Sequence, residues 1–119
     1  MKGQWINIYS GDLPLRSWWV DSGNECEYIS IVLPEVFGIN NWIRSFSEKL
    51  AAQNLPVLAI PLYGRTAPTL DLGYSEEDLK LGRHHKNLTT LKNIIEDVSA
   101  AINWVKEKYP KKKISIVGF

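Results

Sequence analysis

Cys26 is the only cysteine in the sequence. A single thiol excludes an intrachain disulfide framework and a cysteine-rich zinc site. The two histidines, His84 and His85, are adjacent. Metal-binding pairs on one helix face usually stand at i and i+4, and no third ligand type is near, so no metal and no cofactor are expected. Neither sign of charge is in excess: 14 Lys and Arg against 13 Asp and Glu leave a formal +1. That balance argues against a nucleic-acid partner held by bulk charge. Lys111-Lys112-Lys113 is a short basic run and reads as a solvated loop. No apolar run approaches the roughly 20 residues that cross a bilayer. Asn7, Ser10, Gly11 and Asp12 interrupt the segment where a signal-peptide core would lie. A soluble cytoplasmic protein without a membrane partner is the expectation. Internal repeats and low-complexity linkers are also lacking. The 119 residues suffice for one domain and not for two.

What is there is arranged around Ile29 to Asn40. Ile29, Ile31, Val32 and Leu33 form a short, continuous and mostly β-branched run, the pattern of a strand buried on both faces. Pro34 ends its pairing, because proline has no N–H to give a ladder. Glu35 follows, with Val36, Phe37 and Gly38 behind it. In open parallel sheets the ligand crevice lies outside the carboxyl ends of the strands. A carboxylate wedged among apolar residues there must be paired, hydrogen-bonded or shifted. Glu35 is therefore a candidate site residue, expected to be more buried than an ordinary glutamate. The alternative is a solvated loop glutamate.

Upstream, Trp5 to Tyr9 and Leu15 to Val20 read as two strands joined by the turn chemistry of Ser10-Gly11-Asp12, a leading hairpin. Pro14 belongs at the start or edge of its strand. Adjacent Trp18 and Trp19 point to opposite faces in a strand, a reading favoured over a shared stacking platform. Downstream, Asn40 can cap a helix whose stripe is Trp42, Ile43, Phe46, Leu50 and Ala51. Leu55 to Ile60 is the next buried strand, closed by Pro61. Strand, helix and strand within about thirty residues make a βαβ unit with parallel strands.

Pro61 to Lys86 is irregular. Tyr63, Gly64, Arg65, Pro68 and Gly73 form a loop at the functional edge of the sheet. Ser75-Glu76-Glu77-Asp78 is a helix start. Arg83-His84-His85-Lys86 suits either an anion-holding arginine or an exposed helix end. Thr89 or Thr90 can cap a long helix with the stripe Leu91, Ile94/Ile95, Val98, Ala101/Ile102 and Val105, off which Glu96, Asp97, Lys106 and Glu107 are expected to lie. Tyr109-Pro110 stops it. Lys113 to Phe119 then forms a third buried strand. A parallel sheet needs cover on both faces. The expectation is a single partial domain over 1–119, the front half of a longer polypeptide or a chain completed by a partner.

The order of these elements carries a resemblance. A hairpin precedes a strand ending Pro-Glu-Val-Phe-Gly-Ile-Asn and a capped helix. A strand ending Pro-Leu-Tyr-Gly-Arg-Thr-Ala-Pro, a long helix and Ile-Ser-Ile-Val-Gly-Phe complete it. From about Tyr28 to Phe119 this resembles the amino-terminal half of the dienelactone hydrolase family. The resemblance implies an α/β fold: the front of an α/β-hydrolase sheet, with parallel strands and crossover helices after the hairpin. It implies that Gly118 and Phe119 open the nucleophile elbow, the nucleophile (cysteine, or serine) following Phe119. By the same resemblance Glu35 controls protonation of that nucleophile, and the backbone N–H of Val36 is one oxyanion donor. The family's substrate-binding arginine matches the region of Arg83, although Gly-Arg-His-His departs from its usual pattern. Tyr63 and Arg65 are further substrate-binding candidates on the loop after the second parallel strand.

Two functional readings follow. One is a hydrolase of small, anionic esters or lactones whose nucleophile and histidine come after Phe119. The other is a non-catalytic hydrolase-like chain that pairs with itself or with a complementing chain. As printed, the residues cannot perform triad chemistry, since no serine stands in an elbow and Cys26 precedes the first parallel strand. A dinucleotide-binding half-domain is disfavoured, because no Gly-x-Gly-x-x-Gly follows that strand.

Overall fold

The computed structural model describes residues 2–119. Strands β1 (Gln4–Ser10) and β2 (Leu13–Val20) pair antiparallel through a two-residue turn. Its first residue, Gly11, has φ 63°, a conformation that glycine adopts without a Cβ clash. Pro14 is the second residue of β2, where β2 pairs only with β1. The central strand is β3 (Tyr28–Leu33). It lies parallel to β4 (Val57–Ala59) on one side and to β5 (Lys113–Gly118) on the other. β2 closes onto β4 antiparallel, so the sheet order is β1-β2-β4-β3-β5. β4 is shorter than the expected run from Leu55 to Ile60, since Pro56 and Pro61 bracket it, although Ile60 N–H still donates to Val32 O at 3.2 Å.

Three helices follow their expected caps. Helix α1 (Asn41–Ala52) is capped by Asn40, whose side chain accepts from Ile43 N–H. Helix α2 (Glu76–Leu88) is capped by Ser75. Helix α3 (Leu91–Lys108) is capped by Thr90, while the neighbouring Thr89 hydroxyl donates to His85 O at 2.8 Å. α1 covers one face of the sheet, where Ile39, Ile43, Val32, Val57 and Ala59 pack together. α3 covers the other, where Ala101 and Val105 meet Ile8, Leu15, Ile29, Ile31 and Leu58. β3 feeds both layers because alternate residues of a strand face opposite ways. Each fully buried Val, Leu or Ile contributes about 1.5–3 kcal/mol.

The two adjacent tryptophans part as expected. Trp18 packs edge-on against Trp5 at 4.9 Å in the α1 layer. Trp19 packs against Trp104 and Tyr109 in the α3 layer. Several expectations fail. β5, expected to be a third buried strand, has no fully buried residue, because it pairs on one side only and Ile116 is 50% exposed. Leu91, at the head of the expected α3 stripe, is 72% exposed. Asp97 does not lie off the α3 stripe but is buried, with 1% of its surface exposed. Asp97, Ala101 and Val105 are the buried residues of α3, at i, i+4 and i+8 on one face. The carboxylate is tolerated there because Arg65 reaches it.

Candidate active site

The carboxyl end of β3 leads straight into the site. After Pro34 the chain turns, and Gly38 N–H donates to Glu35 O at 3.1 Å. Gly38 has φ 78°, and a Cβ there would collide with the Leu70 carbonyl. The turn is thus pressed against the loop that follows β4. The two are stitched by a Gly38–Asp71 bridge and by Leu72 N–H donating to Phe37 O at 2.9 Å.

Asn40 completes the stitching. It is buried, accepts from Ile43 N–H at 3.1 Å, and donates through Nδ2 to Leu72 O at 3.0 Å and Tyr74 Oη at 3.1 Å. Both amide hydrogens and one of the two oxygen lone pairs are then used. Arg44 adds a clamp, donating to Ile39 O at 2.7 Å and to Asp71 at 3.0 Å. From the far side α2 presses in at Gly82, where a Cβ would strike the Val36 carbonyl. Val36 is thereby held between elements, and among the described residues its backbone N–H has no intramolecular acceptor.

Glu35 stands at the lip of this assembly. It borders a pocket of only about 10 Å³, room for roughly one water, shared with Phe37, Asn40, Trp42 and Tyr74. Contrary to the expected burial, Glu35 is exposed. The reason is geometric: the turn carries it past the last sheet hydrogen bonds, and the pocket beside it is too small to enclose a carboxylate. Among the described residues no side chain is hydrogen-bonded to it. Phe119 lies close by through Trp42, with ring centroids 5.3 Å apart, and Phe119 N–H donates to Leu33 O at 3.1 Å. The end of β5, with Gly118 and Phe119, is therefore set alongside the end of β3, just before Glu35.

The other candidates lie apart. Arg65 donates to Asp97 through Nη2 (2.9 Å) and Nε (3.3 Å), and to Glu96 at 2.9 Å. It borders a cleft between β1 and α3, not the Glu35 pocket. These carboxylates hold the Arg65 pKa above its ordinary value, Asp97 foremost. Tyr63 is half buried, and that burial pushes its phenol pKa up. Its backbone carbonyl accepts from Ala67 N–H at 2.9 Å, which shapes the loop. Arg83 is exposed on α2, one residue from the Gly82 contact with Val36. His85 Nδ1 meets Thr66 Oγ1 at 2.9 Å, tying α2 to the same loop. Among the described residues no three His, Cys, Asp or Glu side chains form a group that could hold a metal ion. No helix among them is long and apolar enough to cross a membrane. The sequence reading missed Asn40 as a loop anchor and Asp97 as the partner of Arg65. The four-residue spacing of Asp97 from Ala101 was the one signal for the latter.

Comparison with known proteins returns one consistent answer. Residues 23–119 match the model of the Dienelactone hydrolase family. A Synechocystis sp. protein assigned as a carboxymethylenebutenolidase is 30% identical over 93 residues, 76% of this chain and 38% of that protein. Among solved structures, a dienelactone hydrolase assigned in Klebsiella pneumoniae superposes with a TM-score of 0.81 at 20% identity, over 98% of this chain and 49% of that one. An esterase of Pyrococcus furiosus gives 0.64 at 23% identity, over 99% and 42%. A Coxiella burnetii α-β serine hydrolase homologue gives 0.67 at 17%, over 100% and 52%. These likenesses show a shared α/β-hydrolase fold, and the chain spans about half or less of each relative's length.

Proposed function

Since the chain belongs to the dienelactone hydrolase family, we propose that it forms the front half of an ester or lactone hydrolase active site. The nucleophile, cysteine or serine, follows Phe119. Glu35 controls its protonation, and Val36 N–H is one donor to the oxyanion. The observation that carries this reading is the convergence of two strand ends. β3 and β5 run parallel in register as far as Leu33 and Gly118, which supports a nucleophile after Phe119 beside the Val36 turn.

Acyl transfer requires donors where negative charge develops. Val36 suits that role because its N–H is uncommitted among the described residues and its position is fixed by Gly38, Asn40 and Gly82. A thiol or hydroxyl at the elbow needs a base or a lowered pKa to attack. The exposed Glu35 carboxylate, next to Val36, can hold or accept that proton. The remaining donor and the histidine come from outside these residues.

β5 favours a completing segment as well. It is an edge strand, and Ile116 and Phe119 expose 50% and 45% of their surface. An uncovered apolar edge invites another strand. Either further chain or a complementing polypeptide fills this role in the proposal.

The test begins with the intact mass of the natural protein. A mass near twice that of this chain is expected, with ester hydrolysis that thiol alkylation or a serine-directed reagent abolishes. Glu35→Gln is expected to lower kcat while leaving the fold intact. A natural protein of this mass alone, without esterase activity, would refute the reading in favour of a non-catalytic binding chain.

A further inference from the structure

Beside the Glu35 pocket lies a cleft of about 440 Å³, between the start of α1 and the loop after β4. It is within the usual range for small-ligand sites. It shares Asn40, Trp42 and Tyr74 with the Glu35 pocket, so the two adjoin. Its walls include Trp42, Leu72, Tyr74 and Asp71.

Both aromatic rings are exposed yet held. Trp42 is 49% exposed, but it stacks on Phe46 with planes 5° apart and meets Phe119 edge-on. Tyr74 is 61% exposed, but its ring abuts Phe37 at 4.6 Å and its hydroxyl accepts from Asn40. Two fixed rings next to a reactive centre offer a flat ligand a surface that needs no reordering.

The charges decide what kind of ligand. Asp71 is the one Asp, Glu, Lys, Arg or His on the cleft wall. Its partner Arg44 is spent on Asp71 and Ile39 O and does not border the cleft. Glu35 stands next door, and Glu76, Glu77 and Asp78 open α2 just past Tyr74. At the start of α1 the Asn40 side chain occupies Ile43 N–H, which leaves the pull of the Asn41 and Trp42 N–H groups set against these carboxylates. Arg83 is not on the wall. A carboxylate brought here meets Asp71, partly offset by Arg44, with further acidic side chains nearby and no unpaired side-chain cation on the wall, whereas an uncharged ring meets no such cost.

We propose that this cleft receives the uncharged aromatic acyl or alcohol group of the ester, with Trp42 and Tyr74 as its platform and Asp71 as the group that turns carboxylates away. This rests on the hydrolase reading and narrows its substrate class from the anionic one that the resemblance implied.

The test compares two probes of nearly equal shape, neutral phenylacetamide and anionic phenylacetate. Binding to the intact natural protein is followed by NMR shifts of the Trp42 indole N–H, assigned with Trp42→Phe. Phenylacetamide is expected to bind at least about fivefold tighter at low salt, and the gap is expected to narrow as salt screens the carboxylates. Asp71→Asn is expected to strengthen phenylacetate binding selectively. Tyr74→Ala, with amide resonances away from the cleft unchanged, is expected to weaken phenylacetamide binding. Equal or tighter binding of phenylacetate, binding of neither probe, or phenylacetate binding that Arg83→Gln abolishes would each overturn the proposal. Binding is read without turnover. A protein that binds phenylacetamide but cleaves no ester sinks only the hydrolase reading, and an active esterase that ignores both probes sinks only this one.

Discussion

Arg65 and Asp97 form a two-pronged ion pair between the loop after β4 and the buried face of α3, at 2.9 and 3.3 Å. Asp97 is almost wholly enclosed, so the pair is more than a surface contact. Removing the arginine alone leaves a buried carboxylate without its partner. Arg65→Ala is expected to lower stability by about 3 kcal/mol. The double variant Arg65→Ala with Asp97→Leu is expected to recover part of that loss. Urea unfolding measures both. A loss under about 1 kcal/mol for Arg65→Ala would show the pair to be solvated.

Gly82 offers a sharper test of the site's scaffold. Alanine is favoured over glycine in a helix interior by about 1 kcal/mol. At this position the added methyl meets the Val36 carbonyl, a backbone atom that cannot swing aside. Gly82→Ala is therefore expected to destabilise by about 1–3 kcal/mol and to shift the Val36 amide resonance. Stabilisation by the substitution would show that α2 does not press on the turn.

Asn40 separates two roles within one side chain. Asn40→Asp keeps the acceptor for Ile43 N–H and loses the donor to Leu72 O and Tyr74 Oη. Asn40→Ala loses both. The alanine variant is expected to cost about 1–2 kcal/mol more than the aspartate variant, the value of a helix cap. Faster amide exchange at Leu72 is expected in both. Equal costs would mean that repulsion between the buried carboxylate of the aspartate variant and Leu72 O cancels the cap.

A pH experiment isolates the Glu25–Lys112 pair, 2.8 Å apart and open to solvent. Hydrogen bonding and attraction to Lys112 hold the Glu25 pKa below its ordinary value. A folded pKa below the unfolded one stabilises above the unfolded value of 4.5 and ceases to do so as pH falls through the folded value. Lys112 is shifted up, so its share is present below 10.5 and lost in stronger alkali. Lys112→Met is expected to return the Glu25 titration, followed by NMR, toward the ordinary glutamate range. An unchanged titration would exclude the pair in solution.

Much of the fold was legible in the chain. Prolines after Leu33 and Ile60 marked the ends of buried strands, and Asn40, Ser75 and the Thr89-Thr90 pair marked helix starts. Such signals are local: a missing N–H or a side chain bonding three residues away acts without help from the rest of the protein. The opposed packing of Trp18 and Trp19 was equally readable, because strand alternation fixes it. The position of Glu35 after a strand was visible too, but its exposure was not. Exposure depends on the neighbouring loop, and the pocket it helps form is too small to enclose the carboxylate.

The sequence by itself determined where elements begin, which faces are apolar, and that a carboxylate follows the central strand. Short-range sterics and periodicity suffice for these. Only the tertiary structure decided which groups meet. Asp97 became a buried partner because Arg65, 32 residues earlier, folds over α3. Asn40 became an anchor because Leu72 and Tyr74 return to it. Val36 became a fixed donor because Gly82 leaves α2 room to close on its carbonyl. Contacts between distant segments depend on how whole layers pack, and no local pattern in the chain encodes that distance.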